Sequence, residues 1–242
     1  MYPINRSRST SRRATLADEG AALVMALLAM LLLLGLGLML VLSTMTEVLV
    51  AAGFRAGQEA LYAAEAIAER VIDDLAHAPD WNDVLRGTGR SAFVDGLPPG
   101  PRTLSDGSII DLATSTNILN CGHAAACTPA EMDTSTSGRP WGPNNPRWTL
   151  YAYGPLSSVV ATGTINSNLY VAGWVADDQS ETDDDPTRDG DDPGNPGSSV
   201  VVVHAEAFGP GGAHQVVAVT IARVDPEAPA RGVRQVGWRQ RR

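Results

Sequence analysis

The densest run of chemically capable side chains in this 242-residue sequence is DDQSETDDDPTRDGDDPGNPG, residues 177–197. It holds the carboxylates of Asp177, Asp178, Glu181, Asp183, Asp184, Asp185, Asp189, Asp191 and Asp192. Hard cations such as Ca²⁺ take roughly six to eight oxygen ligands, and acidic loops supply them. Asp185, Thr187, Asp189 and Gly190 follow the first half of an EF-hand loop, so Asp185 and Asp189 are the candidate calcium ligands. The second half departs from that pattern, because the twelfth position is Pro196 where a bidentate glutamate is needed. The competing reading is a solvated, mobile connection between strands, held open by like charges. It needs no ligand and carries more weight on the sequence alone.

Cys121 and Cys127, in NCGHAAACTP, are the only cysteines. A disulfide closing so short a loop stabilises by about 2–2.5 kcal/mol in the chain-entropy picture. His123 between them allows a metal reading, Cys-x-His-x₃-Cys. Structural zinc takes four ligands, however, and no further CxxC or spaced histidine pair follows. The disulfide is the expected state, with free thiols as the alternative. The histidines are His77, His123, His204 and His214, and none lies in a nucleophile motif. GxSxG, HExxH and P-loop patterns are absent, so no enzyme is expected. His204 and His214 read as ordinary strand residues, with cross-strand proximity as the alternative. Trp141, Trp148 and Trp174 read as packing residues.

These groups must be carried by a chain with two contrasting parts. Residues 21–42, AALVMALLAMLLLLGLGLMLVL, contain no charge. As a helix they would span roughly 33 Å, the hydrocarbon thickness of a bilayer. In lipid the backbone must satisfy its own polar groups, which requires a helix. Gly35 and Gly37 are tolerated there, since glycine is more frequent in membrane helices. Arg6, Arg8, Arg12 and Arg13 precede the segment and predict a cytoplasmic N-terminus with the bulk of the chain across the membrane. A secretory signal peptide would have a shorter apolar core ending at a small-residue cleavage site. Here the helical pattern continues instead. Leu61, Ala64, Ala68, Val71 and Leu75 recur at three- and four-residue steps as an apolar stripe. Arg55 and Glu59 are four apart and can pair weakly. Pro79 should end the helix. One helix over 21–77 would be on the order of 85 Å long.

Residues 78–242 then form the exported head. Short strands are expected near 91–94 and 108–112, and longer ones over 148–156, 168–177, 198–209 and 213–224. The last two flank Gly209-Pro210-Gly211-Gly212, a hairpin signal. The expected fold class is α+β: a long N-terminal helix, membrane-spanning in its first half, packed on one face of an antiparallel sheet. Residues 225–242 carry Arg231, Arg234, Arg239, Arg241 and Arg242 beside Pro226, Pro229 and Gly232. They read as a flexible basic tail, with VGW as a short final strand in the alternative. The net charge of −9 and sequence pI near 4.8 argue against a general nucleic-acid binder, which needs a basic face.

The stretch from RRATLADEGAALVMALLAM through ALYAAEAIAERV, about a quarter of the chain, resembles the N-terminus of type IV pilin-like proteins, in particular the PilX-type minor pilins. The Gly20–Ala21 junction and ALYAAEAIAER carry most of the likeness. SSVVVVHAEAFGPGGAHQVVAVTIARV is similar, less specifically, to the C-terminal hairpin of such proteins. The resemblance implies a leader, residues 1–20, removed by prepilin peptidase between Gly20 and Ala21, with methylation of the new amine. It implies residence in the bacterial inner membrane, then extraction by the assembly platform into a fibre with other major and minor pilins. Major pilins usually carry glutamate at the fifth mature position, and here that position is Met25. A subunit with no neighbour above it does not need that carboxylate, which implies a priming or tip subunit. A minor pseudopilin of a type II secretion system and a non-polymerising single-pass membrane protein are the alternatives.

Overall fold

The structure is a computed structural model that describes residues 13–97, 100–159, 166–190, 194–224 and 232–241, with side chains from residue 20 onward. The chain divides into two compact units, Met1–Ala52 and Gly53–Arg242. The first helix, α1, runs Arg13–His77 and contributes to both. It begins before the expected Ala21, because RATLADEG contains good helix formers and no proline. Arg6, Arg8 and Arg12 lie outside the described residues.

In the first unit α1 is exposed at every position from Gly20 to Ala52. No side chain there belongs to a core. Ser43, Thr44, Thr46 and Glu47 interrupt the apolar surface, and the two threonines bond within the helix: Thr44 Oγ1 donates to the Leu40 carbonyl at 2.9 Å and Thr46 Oγ1 to the Leu42 carbonyl at 3.0 Å. A hydroxyl bonded back to its own helix suits a surrounding without hydrogen-bond partners.

In the second unit the remainder of α1 is amphipathic. Ala60, Ala64, Ile67, Ala68, Val71 and Leu75 are buried in one stripe, and Leu61 is partly buried against it. The helix stops at His77, two residues before Pro79, and Trp81 closes the end by donating its indole N–H to the Leu75 carbonyl at 3.0 Å. The stripe packs on a five-stranded antiparallel sheet whose order follows the sequence: β3 (Thr149–Pro155), β4 (Tyr170–Asp177), β5 (Val200–Phe208), β6 (His214–Arg223) and β7 (Val233–Arg241). A separate hairpin pairs β1 (Pro101–Thr103) with β2 (Ile109–Asp111). Short helices α2 (Asn82–Leu85), α3 (Leu112–Cys121) and α4 (Pro129–Asp133) complete the unit.

Alternation along β4 sends Val171, Gly173 and Val175 to the face covered by α1. A Cβ on Gly173 would sit 2.9 Å from Val71 Cγ2, so glycine here sets how closely the helix lies on the sheet. The small stripe residues Ala60, Ala64 and Ala68 belong to the same close approach. Tyr170, Ala172, Trp174 and Ala176 point to the opposite face, where Leu112 of α3, Trp148 and Tyr153 cover them in a second cluster. Both faces of β4 are therefore buried, which explains its nearly continuous apolar run.

Three expectations about the head change. The strand near 91–94 reduces to one parallel bridge between Val94 and Tyr153. The strand near 108–112 ends at Asp111, whose carboxylate caps α3 by accepting from the main-chain N–H groups of Ala113 and Thr114. Within the tail expected to be flexible, residues 233–241 form β7, paired with β6 from Val233↔Arg223 to Arg241↔Val216. The β-forming Val233, Val236 and Trp238 supply the strand, and the exposed Arg234, Arg239 and Arg241 blunt its outer edge. Residues 225–231 and Arg242 lie outside the described residues.

Candidate functional site

The junction between Gly20 and Ala21 lies on the exposed surface of α1. A Cβ added to Gly20 would meet nothing within 4 Å. Within this chain the fold places no steric demand for glycine here. Beyond it, the apolar side chains stand free on all sides: Met25 is 72% exposed and Leu34 73%. Leu40, Val41, Thr44, Met45, Val48 and Leu49 outline a shallow, almost wholly apolar groove on the helix surface. The first charged pair after the apolar segment is Arg55 Nε with Glu59 Oε1 at 2.7 Å, in the second unit. An apolar cylinder of this length in water would be strongly unfavourable, at about 25 cal/mol per Å² of exposed apolar surface. It is suited to lipid or to a sheath of similar helices.

In the head, Cys121 and Cys127 form a disulfide with a Cα–Cα distance of 6.0 Å. The left-handed Gly122 (φ +79°) ends α3 directly after Cys121. Thr128, which follows Cys127, starts α4 with a capping box to Glu131. The bridge therefore ties the end of one helix to the start of the next. His123 Nε2 lies 3.4 Å from Glu131 Oε1, and both thiols are consumed in the bridge, so the Cys-His-Cys metal arrangement does not form.

The acidic connection between β4 and β5 divides into exposed and buried groups. Asp185 is exposed, and its Oδ1 accepts from the hydroxyl (2.7 Å) and main-chain N–H (3.3 Å) of its neighbour Thr187. Asp185 is not among the three acidic residues that converge in this connection. Asp189 instead meets Asp177 and Glu181, with one carboxylate oxygen of each within 4.8 Å of the others. All three are buried, so this part of the connection is not the solvated loop that its composition suggests. Burial pushes the Asp177 carboxyl up to about 8, with Glu181 and Asp189 adding to the shift, and burial raises Glu181 too. Asp191 and Asp192 lie outside the described residues. The one sequence signal for Asp177 is its alternation with Val171, Gly173 and Val175 along β4. Glu181 gave none.

A second buried carboxylate has the opposite character. Glu206 on β5 receives His204 Nε2 on one oxygen at 2.7 Å and His214 Nε2 on the other at 2.9 Å. Burial alone would raise its pKa, but the two imidazoles outweigh that and hold it at about 2. His204 and His214 are not register partners; they lie opposite Ala218 and Phe208. They share one face and converge on the glutamate two residues from the first. Trp148 and Trp174 stand edge-on to His204, which places both as packing residues around this group, whereas Trp141 is exposed.

A long apolar N-terminal helix with an antiparallel sheet packed on its second half is the α+β architecture of a type IV pilin-like protein. Residues 19–66 match the family model described as PilX N-terminal, which supports reading this stretch as similar to the N-terminal region of PilX-type minor pilins. The match spans the Gly20–Ala21 junction, the apolar segment and the start of the buried stripe, about a fifth of the chain. No curated protein and no solved structure matches the chain. The family supports a structural, minor-pilin role associated with other pilins and a membrane-anchored, pilus-associated location.

Proposed function

We propose that this protein is a minor pilin that starts or tips a type IV pilus, entering the fibre through α1 after cleavage between Gly20 and Ala21. The carrying observation is the coincidence of the PilX N-terminal match with a helix whose apolar surface finds no partner in its own unit. The four leader arginines, at positions 6, 8, 12 and 13, keep the N-terminus in the cytoplasm and place the head in the periplasm. The inner-membrane platform then lifts the processed subunit out of the bilayer, and lipid contacts give way to contacts with neighbouring pilin helices. The disulfide fits an oxidising compartment.

Met25 favours the priming or tip position. An ionised carboxylate at membrane depth is costly unless paired. A first subunit has no amine above it to pair with, so an apolar residue is the lower-energy choice at position 25.

Mass spectrometry of the membrane fraction tests the processing step. A mature, N-methylated chain beginning at Ala21 is expected, and an uncut precursor wherever the prepilin peptidase is active would refute it. Labelled protein should lie at one end of sheared pili, and Met25→Glu should spread it along them. A deletion strain should lose surface pili and twitching. Loss of exoprotein release with pili intact would assign the protein to a secretion pseudopilus instead.

A further inference from the structure

We propose that Asp177, Glu181 and Asp189 form the binding site of one hard divalent cation, calcium in preference to magnesium. The site lies where β4 runs into its connection to β5, wholly within the head. It stands whether or not the chain joins a pilus.

The three carboxylates converge to within 4.8 Å and are 3%, 1% and 9% exposed, respectively. Convergence of acids on a surface is common and means little. Here Glu181 Oε2 is buried and has no hydrogen-bond donor among the described residues. A buried carboxylate oxygen without a donor is strongly unfavourable, and removing the opposite charge from a buried group is among the more destabilising changes known. The charged neighbours acting on Asp177 are Glu181, Asp189 and Asp183, and those acting on Glu181 are Asp183, Asp189 and Asp178, all acidic.

The carboxylates are held in place for a ligand. The Asp178 N–H donates to Asp177 Oδ1 at 2.9 Å, the Gly190 N–H to Glu181 Oε1 at 3.1 Å, and the Ser199 N–H to Asp189 Oδ1 at 2.6 Å. Gly190 is required for this arrangement, since a Cβ there would lie 2.1 Å from Glu181 Oε1. The Asp189 N–H in turn donates to Asn82 Oδ1 at 2.8 Å, which ties the acidic connection to α2.

An all-oxygen, all-carboxylate donor set selects hard cations over zinc or copper, which favour nitrogen and sulfur. Calcium accepts mixed monodentate and bidentate carboxylates in irregular geometry. Magnesium demands a near-octahedral shell and gives up water reluctantly, so a buried tricarboxylate site suits calcium. Bound there, the ion would clamp the end of β4 to the start and the middle of the β4–β5 connection.

The test uses the full chain in detergent, stripped with EDTA and titrated with CaCl₂ or MgCl₂ by calorimetry, with thermal unfolding of the head followed in parallel. One saturable calcium per chain is expected, tighter than magnesium and within about 10 mM, which spans the weaker extracellular calcium modules. The unfolding temperature should rise as calcium is added. Glu181→Gln should weaken calcium binding at least tenfold without lowering the metal-free unfolding temperature, because it also removes repulsion. Asp177→Asn should weaken binding as well, which keeps the test open if Glu181→Gln fails to fold. Asp185→Asn should bind as the wild type does. No saturable calcium binding by the wild-type chain would overturn the proposal. So would unchanged binding in both ligand variants, loss of binding in Asp185→Asn, or tighter binding of magnesium than of calcium.

Discussion

The two halves of α1 share one secondary structure and almost nothing else. From Gly20 to Ala52 every residue is exposed, and the helix is apolar around its whole circumference through Leu42. From Ala60 to Leu75 the apolar residues shrink to a stripe, and that stripe is buried to 3% exposure or less on the sheet. Helix formation is common to both because backbone hydrogen bonding is local. What differs is the surrounding each half demands. The first has no polar face to offer water and needs lipid or other helices. The second carries Glu59, Glu65, Glu69 and Asp73 away from its stripe and needs only the sheet it already has. Anchorage and head stability should therefore respond to different substitutions.

The largest effect should come from placing a charge in each half in turn. Val71→Asp sets a carboxylate against Gly173 in the core, and a cost of about 3–5 kcal/mol is expected. That is much of the stability of a typical domain, so the head should unfold or become protease-sensitive. Leu32→Asp should leave the head's unfolding temperature unchanged. It should weaken membrane insertion by about 2.5–3.5 kcal/mol, seen as release on carbonate extraction. Equal damage to the head from both changes would break the contrast.

An acid titration sharpens it. The sheet that receives the stripe admits Glu206 only with two imidazoles beside it. Its folded pKa of about 2 lies below the ordinary value of 4.5, so the ionised form is stabilised by folding. That contribution, on the order of 3 kcal/mol, is fully present above pH 4.5 and is lost as the pH falls from 4.5 towards 2. Glu206→Gln should flatten this acid limb of head unfolding. Membrane retention through the first half of α1 should not change over the same range.

Smaller effects belong to the periphery of each half. Reducing the Cys121–Cys127 bridge, or changing both residues to serine, should lower head stability by about 2–2.5 kcal/mol and leave anchorage alone. Mass spectrometry with and without reductant checks the bridge itself. Arg55→Ala removes an exposed helix pair with 82% and 53% side-chain exposure, and no measurable change in unfolding temperature is expected.

Much of this was legible in the residues. The stripe at Leu61, Ala64, Ala68, Val71 and Leu75 and the four strands around residues 149–223 announce themselves by their period. The helix α3 did not, because LATSTNILNC is rich in threonine, serine and asparagine, which are weak helix formers. Its only local signals are Asp111 as N-cap and Gly122 after its end. The closing strand β7 was obscured by prolines and arginines that read as a loose tail. It gains order by pairing along the exposed edge of β6, a contact no local pattern describes. Of the acidic run, Asp189 was identified and its partners were not. The EF-hand spacing pointed to Asp185, whose Oδ1 accepts from the Thr187 hydroxyl and main-chain N–H and which is not one of the three converging acids.

By itself the sequence determined that a long apolar helix would need a surrounding other than water, and that the chain behind it would form an antiparallel head. Both follow from properties that sum along the chain, namely hydropathy over a helix length and alternation along a strand. Only the tertiary structure decided which carboxylates meet. Asp177, Glu181 and Asp189 converge because β4 ends where it does and because the Asp189 N–H reaches back to Asn82, far away in sequence. A site made by chain return has no period, and its energy exists only once the chain has folded.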